Sequence, residues 1–95
     1  MDTVKEIEVL VDVAVLGKQV TSFITSDVGR FILRRADAEV QEGLAILKAV
    51  NYTDPEAIRL AQAMVWRAES VRGWLEEAIL SGLKAESILE DREDD

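Results

Sequence analysis

The chain contains no cysteine and no histidine among its 95 residues, one proline, and few aromatics: two tryptophans, two phenylalanines and one tyrosine. Without cysteine there is no disulfide framework and no thiolate site. Without histidine the commonest general base and metal ligand are missing, and a zinc site of His and Cys is excluded. A long hydrophobic run is lacking too, because the apolar stretch from Val9 to Leu16 is interrupted by Asp12. Asp2, Glu6 and Glu8 stand where a secretory signal would carry Lys or Arg. The sequence therefore predicts no signal peptide, no membrane partner and a cytoplasmic setting. An excess of basic charge is absent, since the formal net charge is −8, and no nucleic-acid partner is expected.

Chemistry is equally hard to find. Serine and threonine occur without histidine. The pairs Glu39/Glu42 and Glu86/Glu90 have helical spacing but sit on charged faces. Val28-Gly29-Arg30-Phe31 is not a phosphate-cradling loop. No catalytic residue, no cofactor and no metal ligand is assigned, and the chain reads as a non-enzyme.

What is present is helix patterning. Apolar residues make up 48% and charged residues 32% of the chain, a balance suited to amphipathic helices. Gly29, Leu33, Ala36, Val40, Gly43, Leu47 and Val50 recur at alternating steps of four and three. So do Ala57, Ala61, Met64, Ala68, Val71, Leu75, Ala78 and Gly82. Steps of three and four align side chains on one helix face. Between the runs lies Asn51-Tyr52-Thr53-Asp54, followed by Pro55. The pattern predicts two long helices in an antiparallel hairpin with a coiled-coil-like seam. Asn51 is the expected stop of the first, Thr53 or Asp54 the expected cap of the second, and a residue in Thr25-Ser26-Asp27 the expected cap of the hairpin's first helix. With the turn near residue 53 or 54, Leu47 should meet Leu60, Gly43 should meet Met64, and Gly29 should meet Ala78. Gly73 and Gly82 are expected to mark close backbone approaches.

Residues 2–25 admit two readings. Ile7, Val9, Val11, Val13 and Val15 alternate like a strand, but no second strand-like run exists to pair with. The helical reading is preferred and offers two apolar faces. One comprises Val9, Val13, Leu16, Val20 and Phe23; the other Ile7, Leu10, Ala14, Gly17, Thr21 and Ile24. The hairpin can cover one of them and a second copy of the chain the other. The fold class is thus all-α: three helices, the last two a long hairpin with the first packed along it, in an oligomeric helical bundle. Residues 1–86 form one domain. Residues 87–95, with one Arg against five acids, read as an acidic, disordered tail.

The candidate interface residues are Val9, Val13, Leu16, Val20 and Phe23 on the first helix, Phe31 and Trp66 on the hairpin, and the arginines Arg34, Arg35 and Arg72. Trp66 is expected to pack against the first helix, with a protomer interface, or a ligand or foreign partner, as the alternatives. Trp74 is expected in the core or at the edge of the seam. The arginines read as an ion-pair network with Asp37 and neighbouring acids, or as a patch for an acidic partner.

Three stretches also resemble small helical proteins of tailed bacteriophages and prophages: Asp27-Val28-Gly29-Arg30-Phe31-Ile32-Leu33, Met64-Val65-Trp66-Arg67-Ala68-Glu69-Ser70 and Trp74-Leu75-Glu76-Glu77-Ala78-Ile79. The likeness is one of pattern and short words over roughly residues 15–85. It implies a phage origin, in host cytoplasm or virion, and no site residues. The expected function is that of a helical assembly or accessory protein acting as a homo-oligomer. The alternative is a small acidic inhibitor or adaptor that binds a host protein.

Overall fold

A computed structural model describes residues 2–93; Met1, Asp94 and Asp95 lie outside it. It holds three helices, α1 Thr3–Thr25, α2 Asp27–Ala49 and α3 Pro55–Glu93, and no strand among the described residues. The alternation of β-branched residues in α1 therefore does not make a strand. A strand needs a partner for its backbone groups, whereas a helix satisfies them internally.

The helix ends follow from local chemistry. The Asp2 carboxylate accepts the Val4 N–H at 3.1 Å and caps α1. At the other end Thr21, Thr25 and Ser26 turn their hydroxyls onto carbonyls three or four residues back. Such back-bonding competes with the helical ladder, and Ser26 leaves it with extended backbone. α2 ends at Ala49, ahead of Asn51, and Asn51 is not in the left-handed conformation: no described residue has positive φ. Its side-chain oxygen instead accepts the Thr53 N–H at 3.0 Å and the Thr53 hydroxyl at 2.8 Å, an Asx turn. The Asp54 carboxylate then accepts the Ala57 N–H at 3.1 Å, with Pro55 at the first helical position, where its missing N–H costs nothing.

α1 and α2 both pack against α3, within two compact units. In one, α2 lies against α3 up to Gly73; in the other, α1 lies against α3 from Trp74 onward. Every residue of the two predicted seam runs is buried or half-buried. The contacts of α2 run in opposite order along α3: a Cβ on Gly43 would meet Ala61 and Val65, and Asp37 pairs with Arg72. Two details of the predicted register change. Gly43 sits against Ala61 and Val65, where Met64 was expected. Leu60, expected opposite Leu47, is exposed.

In the other unit Gly17 and Gly82 bring two backbones together. A Cβ built on Gly17 would lie 2.9 Å from the Gly82 Cα and 3.1 Å from the Ala78 carbonyl oxygen. α3 continues as far as Glu93, through part of the stretch expected as an acidic tail. Ala85 is buried, Ile88 and Leu89 are half-buried, and Arg92 pairs with Glu6 at 3.2 Å. Gly82, Ala85 and Leu89 prolong the three-and-four spacing, and this apolar face carries the helix under its acidic side. The tail's last two residues, Asp94 and Asp95, fall outside the described residues.

Gly73 departs from expectation, because nothing lies within 4 Å of a Cβ placed there. It is not a close approach. A glycine inside a helix costs about 1 kcal/mol against alanine, so Gly73→Ala is expected to stabilise the fold by about that amount. A chemical-denaturation midpoint that fell instead would mean that the helix needs glycine there for a reason other than space.

Candidate interaction surface

The buried apolar residues are all alanines: Ala14, Ala36, Ala61, Ala68 and Ala85. Among the described residues no large side chain is fully buried. Seams of Ala and Gly let backbones approach closely but remove little apolar area per residue, and a buried Leu, Ile or Phe contributes about 1.5–3 kcal/mol that alanine does not. Conversely, many large apolar residues are exposed.

In the unit of α1 the covered stripe cuts across the two predicted faces, and Ile7 and Thr21 stay exposed. Leu10, Ala14, Gly17 and Ile24 turn toward α3, with Val13, Val20 and Phe23 half-buried at the edge. Val9 and Leu16 remain exposed, as do Val4, Val11 and Val15 on the opposite flank. A hollow of about 440 Å³ lies among Glu6, Val9, Leu10, Ile88 and Arg92. Another of about 540 Å³ lies among Val11, Ala14, Val15, Leu89 and the acids Glu86, Glu90 and Glu93. Lys18 pairs with Glu86 at 3.1 Å.

In the unit of α2, Phe31 is 61% exposed and flanks a slot between α2 and α3 of about 290 Å³. Ile32, Arg35, Ala36, Glu39, Arg67, Ala68 and Val71 complete its lining. The predicted candidates Phe31 and Arg35 thus meet at one place. Arg72 is elsewhere and pairs with Asp37 at 2.9 Å, while Arg35 approaches Glu39 at 3.6 Å. Exposed pairs of this kind contribute about 0–1 kcal/mol. Arg34 is exposed on α2.

Trp66 does not take the buried place expected of it. It is 72% exposed, and Trp74, expected in the core or seam edge, is 67% exposed. Both lie off the seam stripe. Ile32 and Arg67 were missed from sequence. Their signal was available: both lie one residue from a seam position, on the side where Phe31 falls.

Among the described residues no group of three or more acidic side chains could hold a metal ion, and no helix is long and apolar enough to cross a membrane. No protein-family model matches the chain, and no curated protein or solved structure matches it.

Proposed function

We propose that the protein is a non-enzymatic helical assembly or accessory protein that acts as a homo-oligomer, its helices completing a bundle core across copies. One observation carries this reading: the buried apolar residues are alanines alone, while Val9, Leu16, Phe31, Trp66, Trp74, Leu80 and Leu83 stand exposed. Exposed apolar side chains that gather into a patch mark protein contacts. A hairpin of α2 and α3 with α1 against the distal part of α3 is the protomer in this reading. The phage setting belongs to the same proposal and rests on the short sequence likenesses.

The test is the mass in solution, by size-exclusion chromatography with light scattering over a concentration series. The expected result is a dimer or higher oligomer at micromolar concentration. A mass of one chain throughout would overturn the reading.

A second reading, an acidic inhibitor or adaptor of a host protein, draws on a different observation. Residues 1–26 and 74–95 carry four basic against twelve acidic side chains, the whole net charge of −8, whereas residues 27–73 carry seven of each. An acidic unit with apolar hollows would suit a basic partner. A monomeric chain would shift the weight to this reading.

A further inference from the structure

The two units differ in how they would tolerate a second copy. Contact between two copies of the unit that holds α1 would bring −8 against −8, and like charges facing across an interface are strongly unfavourable. The unit of α2 is neutral, with seven basic and seven acidic side chains. Its slot is apolar at the floor, where Ala36 and Ala68 leave space between the helices, and Phe31 and Ile32 stand at its lip, 61% and 37% exposed.

We propose that this slot is where two copies of the chain join: the Phe31 ring of each copy seats in the slot of the other about a two-fold axis. The proposal rests on the homo-oligomer reading and names its interface. Three observations commit the slot to a second copy. Its volume is about 290 Å³, and an engineered apolar cavity of roughly 150 Å³ already takes benzene, so a phenyl ring enters with room for its neighbours. A two-fold contact needs a surface that carries both knob and hole, because each residue pair occurs twice with roles exchanged; Phe31 and the slot lie side by side here. The rim also carries both signs of charge, Arg35 and Arg67 beside Glu39. Among the described residues no acid lies within ion-pair distance of Arg67, and Glu39 is held only loosely, by Arg35 at 3.6 Å. Across the two-fold axis Arg67 faces the second copy's Glu39, and the pair forms twice.

The experiment uses the full chain and sedimentation velocity, with circular dichroism to verify helix content. Phe31→Asp places a charge in the slot; because Phe31 is mostly exposed within one chain, helix content should hold while the dissociation constant rises at least about 100-fold, the loss typical of a central anchor. Val15→Asp, at a residue 46% exposed in the acidic unit, is the control and should leave the mass unchanged. Arg67→Glu and Glu39→Arg should each weaken self-association about tenfold. Mixed in equal amounts, the two variants should form a hybrid dimer, since one then presents acid at both positions and the other base at both. If wild type is oligomeric and Phe31→Asp leaves it so, the slot is wrong and the homo-oligomer reading stands. Failure of the two charge variants to combine would overturn the two-fold pairing of Arg67 with Glu39. A monomeric wild type would overturn both the slot and the reading beneath it.

Discussion

Gly17→Leu is expected to destabilise the fold by about 3 kcal/mol, the upper part of the range for overpacked cores, measured by urea denaturation at fixed protein concentration. The reason is the identity of the neighbours. A Cβ at residue 17 would lie 2.9 Å from the Gly82 Cα and 3.1 Å from the Ala78 carbonyl oxygen. Both are backbone atoms of α3, and no side-chain rotation relieves them. The whole of α1 must lift from α3, loosening the contacts of Leu10, Ala14 and Ile24 together. Gly82→Leu should match it, since a Cβ at residue 82 meets the Gly17 Cα at 2.9 Å and the Val13 carbonyl oxygen at 3.2 Å. Even Gly17→Ala should destabilise, although alanine gains about 1 kcal/mol in helix propensity. An unchanged midpoint for the leucine variants would mean that α1 does not dock on α3 through these glycines. Fixed concentration matters because self-association couples apparent stability to protomer concentration.

The second large effect is expected at the seam of α2. Ala68→Leu should cost about 2–3 kcal/mol, because residue 68 is 3% exposed and three added heavy atoms must force the helices apart. Gly43→Leu should behave alike, but Gly43→Ala should cost much less. The nearest atom to a Cβ at residue 43 is the Val65 Cγ2, at 2.6 Å, while the backbone there is 3.5 Å away. A valine methyl can turn aside; a main chain cannot. The difference between Gly43→Ala and Gly17→Ala therefore isolates how rigid each neighbour is. Equal losses at the two sites would contradict the assignment of a side-chain contact to one and a backbone contact to the other.

How far the fold was legible depends on what each signal measures. The three-and-four spacing reports a helix face directly, and all fifteen residues of the two runs lie buried or half-buried. Asp54 and Pro55 were legible because capping is local chemistry. What failed was everything that depends on which face meets which neighbour. α1 is apolar on two sides, and periodicity cannot say which stripe α3 covers; Val9 and Leu16 face outward. Trp66 and Trp74 were read as packed because large aromatics usually are, but burial is a property of the neighbours and not of the residue. Residues 87–93 were read by charge, while Ala85, Ile88 and Leu89 carried the helical spacing beneath it. The candidate surface was legible in part. Phe31 and Arg35 were picked out singly, and only the packing of α2 on α3 shows that they border one slot with Arg67.

The alanine seam also decides how the sequence can vary. Where a core is built from leucine or phenylalanine, it decays by losing atoms, and neutral drift trims it. Here the packed positions are already near the smallest residue a helix accepts, so almost every replacement adds bulk. Tolerance should be inverted relative to an ordinary small protein. The inner stripe would reject change toward larger residues, whereas the outer apolar positions, with no neighbour in the chain to constrain their shape, would accept many substitutions unless another molecule rests on them. Invariance at Phe31 or Trp66 among related chains would therefore report a partner, and invariance at Gly17 or Ala68 would report only the width of the gap between two helices.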